Sequence, residues 1–127
     1  MAEPAKVNSI FDVKTWQQLS SLVDGQDVSF LDGLLQSYLE TAAEHIETLR
    51  NDKADIAALR RAAHTLFGSS LSIGIPSIAT ISRKLELELG RIPVYDLADR
   101  IAKIERQLER VRQSYPQQLE TIRSTKT

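Results

Sequence analysis

The 127-residue sequence predicts an all-α protein, an antiparallel up-down-up-down four-helix bundle with a short additional N-terminal helix. Three observations lead there. Apolar residues recur three and four positions apart in five separate stretches, the period of a helix with one buried face. No stretch alternates apolar and polar residues as a half-buried strand would. The joints between stretches are short, and short joints make neighbouring helices run antiparallel.

Each element has its own signals. Asp12 is placed to cap a short first helix with apolar positions Trp16, Leu19, Leu22 and Val23, ended by Asp24-Gly25. Asp27 is the expected cap of a longer second helix, reaching about Arg50, whose stripe is Leu31, Leu34, Leu35, Tyr38, Leu39, Ala42, Ile46 and Leu49. Asp55 opens the third helix, with Ile56, Leu59, Ala63, Leu66, Ser70 and Ile73 inward and an end near Gly74. Pro76 suits the first turn of the fourth, where a missing amide hydrogen costs nothing, and Ile78, Ile81, Leu85 and Leu89 form its inner face before Gly90. The last helix starts around Pro93 with Val94, Leu97, Ile101, Ile104, Leu108, Val111 and Tyr115 inward. Pro116 is expected to break or kink it, with a bent extension through Leu119 and Ile122 and frayed residues from Ser124 to Thr127.

The whole chain, 1–127, reads as a single domain with an ordered core at about 10–115 and flexible ends. Its net charge of −1 gives no broad attraction to nucleic acid or anionic membrane. The absence of cysteine excludes disulfides, zinc-thiolate sites and cysteine nucleophiles. Neither a secretory signal nor an apolar run near the ~20 residues of a membrane span is present, so a cytoplasmic protein is expected.

The stretch Ala62-Ala63-His64-Thr65-Leu66-Phe67-Gly68-Ser69-Ser70 carries the chemistry. At about 100° per residue, His64 falls roughly 130° from the centre of the buried stripe and faces solvent. Ala57, Arg61, Gly68 and Leu71 share its side, a combination of small, basic and apolar residues suited to docking. Glycine inside a helix costs roughly 1 kcal/mol relative to alanine, and Gly68 sits one turn from the histidine. Leaving out its side chain opens the imidazole to a large partner and lets that partner's backbone approach. His45 borders the stripe of the second helix beside Ala42 and Ile46, where boundary packing is its expected role. Two histidines without a convergent acidic motif do not make a metal site.

These residues resemble the histidine-containing phosphotransfer (HPt) domains of multistep two-component signalling. That family's motif reads histidine, any residue, Leu or Phe, lysine, glycine, then Ser or Ala. His64, Leu66, Gly68 and Ser69 match it, and Leu59-Arg60-Arg61-Ala62-Ala63 and Leu85-Glu86 also look like the family, so the resemblance runs from about Phe11 to Ser114. One position departs: Phe67 stands where the family usually has lysine.

The resemblance implies a phosphocarrier in place of an enzyme. His64 would be the phosphoacceptor, shuttling a phosphoryl group between receiver-domain aspartates, with response-regulator receivers and a hybrid histidine kinase as partners. An exposed imidazole is a competent nucleophile. In-line transfer also needs Mg²⁺ and a carboxylate-rich site, which this chain does not show near His64, so the receiver would supply them and the chain needs no cofactor of its own. The family often places Gln or Glu where Glu86 stands, accepting a hydrogen bond from the ring and orienting Nε2 outward; the alternative is a solvated surface charge. Gly68 would permit approach, and Ala57, Arg61, Phe67, Leu71 and Ile75 would contribute to docking.

A lysine in place of Phe67 would offer the phosphoryl oxygens a charge-assisted bond worth roughly 1.5–3 kcal/mol. Arg60 and Arg61 on the same helix, or Arg83 and Lys84 on the next, are the candidates to compensate. Alternatively Phe67 and Leu71 enlarge an apolar patch for a particular partner, or Phe67, about 70° from the stripe centre, folds onto the bundle edge. Two further readings stand beside phosphotransfer: a degenerate adaptor that binds receivers or kinases without carrying phosphate, and a dimerising coiled coil built on Leu97, Ile101, Ile104, Leu108 and Val111. Burial inside a monomeric bundle explains that last spacing equally well, and a monomer is expected.

Overall fold

The acidic caps expected at Asp12 and Asp55 both form. Asp12 Oδ2 accepts the Thr15 amide at 2.9 Å, and Asp55 Oδ1 accepts the Ala58 amide at 2.8 Å. In the computed structural model, which describes residues 10–126, five helices follow: α1 Val13–Ser20, α2 Ser29–Arg50, α3 Ile56–Ser72, α4 Pro76–Glu88 and α5 Val94–Thr125. There is no strand among the described residues. Helix α2 packs against α3 and α5, and α4 packs against the same two, so the four long helices close into a bundle. Leu35, Leu49, Leu66, Ile78, Leu85, Ile104 and Val111 fill its interior. Each such side chain contributes about 1.5–3 kcal/mol on burial.

The short helix α1 seals one end of α3. Its Trp16 Nε1 donates to the Ile73 carbonyl at 2.8 Å, and the Asp12 amide donates to the Gly74 carbonyl at 2.8 Å. Carbonyls at a helix end lack partners within the helix, and α1 supplies two. Gly74 turns the chain with φ +73°, and a Cβ there would sit 2.9 Å from the Thr15 side chain. Deeper in the bundle, Tyr38 Oη and Ser70 Oγ pair at 2.6 Å, which satisfies the polar atom at an otherwise apolar stripe position. Burial pushes the Tyr38 hydroxyl up to about 12, partly offset by the Ser70 bond.

Several local expectations give way. The first helix ends at Ser20, before Asp24-Gly25, so Leu22 lies exposed while Val23 is buried. Position N-cap of α2 falls to Val28, and Asp27 instead accepts the Ser29 amide at 3.0 Å and hydroxyl at 2.7 Å, an Asx-type turn just outside the helix. Ile56, the first residue of α3, is 41% exposed because it precedes the turn that the core grips. Pro116 does not break α5. The proline is exposed, and the helix runs on to bury Leu119 and Ile122, which offsets the roughly 3 kcal/mol cost of an interior proline. Ser124 and Thr125 stay hydrogen-bonded within this last turn, and Lys126 Nζ donates to the Val23 carbonyl at 2.9 Å. Thr127 lies outside the described residues.

Candidate functional site

With Leu59, Ala62, Ala63 and Leu66 buried under α3, the opposite side of the helix is left to water. His64 stands there with 63% of its side chain exposed. On α4, the inward pull of Ile78 and Leu85 rotates Glu86 onto the seam between the two helices, where its side chain is only 15% exposed. Glu86 Oε2 lies 3.0 Å from His64 Nδ1. A carboxylate only accepts, so Nδ1 bears the donated hydrogen, which in the neutral ring leaves the lone pair on Nε2. That nitrogen is the nucleophilic one.

The second carboxylate oxygen is also occupied. Arg83 Nη1 donates to Glu86 Oε1 at 3.1 Å, and the Arg83 Cζ lies 5.6 Å from the centre of the Phe67 ring. A cation over an aromatic face at this range is worth about 0.5–1 kcal/mol at an exposed site. Phe67 in turn lies 6.3 Å, centre to centre, from the imidazole. It is half-buried on the edge of α3.

Ala57, Arg60, Arg61 and Thr65 surround His64 and Glu86 in a shallow depression. Arg61 is exposed, whereas Arg60 Nη2 donates to the Leu89 carbonyl at 3.1 Å and holds the end of α4. Beyond Phe67 an apolar groove continues along Leu71, Pro76, Ala79 and Thr80, walled by Arg83, Lys84 and Leu87. Gly68 lies inside α3, one turn before its end, and a Cβ built on it meets nothing within 4 Å. The protein's own packing therefore gives no reason for this glycine.

Ile75 is a correction. It was expected at the docking face, yet it is fully buried at the start of α4, its amide bonded to the Ser70 carbonyl at 2.8 Å. The reversal at Gly74 swings it under the bundle. Leu87 was missed: it is 58% exposed on the groove wall, and its signal was an apolar residue out of phase with the α4 stripe. His45 is half-buried on α2 next to Ala42 and Ile46. Among the described residues no cluster of three or more His, Cys, Asp or Glu side chains could hold a metal ion.

The sequence model of the Hpt domain family matches residues 33–123. The chain belongs to the Hpt domain family. The matched segment takes in most of α2, all of α3 and α4, and nearly all of α5, and so includes His64, Gly68 and Glu86. Hpt domains are phosphocarriers that exchange phosphate with receiver domains and histidine kinases in phosphorelays, which places this chain in signal transduction. No curated protein and no solved structure is significantly similar to it. Among the described residues no helix is long and apolar enough to cross a membrane.

Proposed function

We propose that this Hpt domain is a phosphorelay intermediate in which His64 accepts a phosphoryl group from one receiver aspartate and passes it to another. The observation that carries the reading is the Glu86–His64 hydrogen bond behind an imidazole open to solvent. Nε2 attacks phosphorus, the bond to the aspartyl oxygen breaks, and the departing carboxylate stays on the receiver. Glu86 accepts the Nδ1 hydrogen throughout, and its negative charge compensates the positive charge that the ring gains. The reverse step regenerates neutral imidazole. Mg²⁺ and the acidic residues that bind it belong to the receiver, as does any hydrolytic activity.

In this reading Gly68 gives the receiver backbone room, and Ala57, Arg61, Phe67, Leu71 and Lys84 form the docking face, with Arg60 contributing at its margin. The carrier acts as a monomer in this reading, because the stripe of Ile101, Ile104, Leu108 and Val111 is buried inside its own bundle and is not left free for a second copy. An up-down-up-down course is supported by contacts whose numbers rise on one helix as they fall on the next. Arg60 meets Leu89 while His64 meets Glu86, and Ser77 meets Gln107 while Glu88 meets Arg100.

Incubation with a phosphorylated receiver is expected to give acid-labile label on the protein. His64→Gln should lose that label entirely while keeping its helical circular dichroism and melting temperature. Phe67 favours a second reading, an adaptor that binds receivers without carrying phosphate. If the natural protein takes no label and Phe67→Lys does, the adaptor reading replaces the first.

A further inference from the structure

Arg83 is held at two points, and both anchors touch the histidine. Glu86, which accepts its Nη1 hydrogen, also holds His64 Nδ1, and Phe67, which lies under its guanidinium, is the imidazole's aromatic neighbour. Nη1 is the one Arg83 nitrogen with a hydrogen-bond acceptor among the described residues, and the side chain is 48% exposed. A planar guanidinium carries five donors. Most of them thus remain available toward solvent beside the ring.

The other cations near His64 are less well placed. Arg60 is drawn to the end of α4 by the Leu89 carbonyl. Arg61 and Lys84 are exposed and, among the described residues, have no anchor that also touches the imidazole.

We propose that Arg83, braced on the Phe67 ring and oriented by Glu86, binds the phosphoryl oxygens once His64 is phosphorylated, so that Phe67 serves as the platform for a cation delivered from the neighbouring helix. This rests on His64 being the phosphoacceptor. The new phosphoryl group is nearly dianionic, and a planar fork of donors matches two of its oxygens. Glu86 then keeps its bond to Nδ1 and shares Arg83 with the phosphoryl group. Phe67 limits how far the guanidinium swings.

The test needs no receiver. Phosphoramidate, a small donor, transfers its phosphoryl group to an accessible imidazole: the Nε2–P bond forms as the P–N bond to ammonia breaks, and ammonia leaves. In the ¹⁵N-labelled full chain, phosphorylation is expected to shift the Arg83 guanidinium resonances, and ³¹P titration should give a phosphoryl midpoint that rises by about half a unit or more in Arg83→Gln. Arg83→Lys should restore part of that shift, and Phe67→Leu, which keeps apolar bulk but loses the aromatic face, should lose part of it. Arg60→Gln, Arg61→Gln and Lys84→Gln should each change it less than Arg83→Gln does. Phosphorylation with unmoved Arg83 resonances, or a larger effect in any of those three variants, overturns the proposal while leaving His64 as the phosphoacceptor. Failure of His64 to take phosphate from either phosphoramidate or a receiver overturns both.

Discussion

Gly68 and Gly74 lie six residues apart, one in the last part of α3 and one just beyond it, and their surroundings differ. Gly74 is demanded by the fold: its φ of +73° suits a residue without Cβ, and any side chain would press on Thr15 at 2.9 Å and crowd Trp16 at 3.0 Å. Gly68 has no left-handed backbone, and the space where its Cβ would point is empty. A glycine that costs helix stability and relieves no internal contact is what the proposed access for a receiver calls for. The joint after α3 thus serves stability, whereas the turn beside His64 is, on the proposed function, left open for access.

Substitutions that separate the two regions should differ in sign as well as size. Gly74→Ala combines left-handed strain with overpacking and is expected to lower unfolding free energy by about 2–4 kcal/mol, read from urea denaturation, with receiver affinity per folded molecule unchanged. Gly68→Ala should do the opposite. It is expected to stabilise the fold by up to about 1 kcal/mol and weaken receiver binding by about tenfold, or 1.4 kcal/mol, measured by calorimetry. Equal binding by Gly68→Ala and the natural protein would remove the access argument.

The smallest effect belongs to the cap that begins α1. The Thr15 hydroxyl and amide hold the Asp12 carboxyl below its ordinary range. Its contribution is therefore fully present above the ordinary carboxyl pKa and fades as acid titrates the group at its lower folded value. Asp12→Ala should flatten the acid limb of the stability curve slightly, while leaving the pH dependence of phosphate transfer unaltered.

How much of this could be read in advance depended on whether one helix sufficed. Asp12, Asp55 and Pro76 sit where their local chemistry puts them, and the outward face of His64 follows from the phase of Leu59, Ala63 and Leu66 alone. Ile75 was misjudged because it lies in a joint, where helical periodicity ceases to report direction and the turn at Gly74 decides. At Pro116 the expected break does not occur, because the apolar spacing through Leu119 and Ile122 is buried and outweighs the local penalty. The arrangement of Arg83, Glu86 and Phe67 depends on how α4 is rotated against α3, a relation between two helices that neither pattern contains by itself.

Helix α1 also precedes the stretch matched to the Hpt family, which starts at residue 33. Trimming the protein back to that stretch would strip the Ile73 and Gly74 carbonyls of the donors they now have, and uncover the surfaces that Trp16 and Thr15 occupy. The loosened turn would lie at the foot of the histidine's own helix, so a fragment cut to the minimal matched length would report on a softer scaffold than the one that presents His64 when α1 is present.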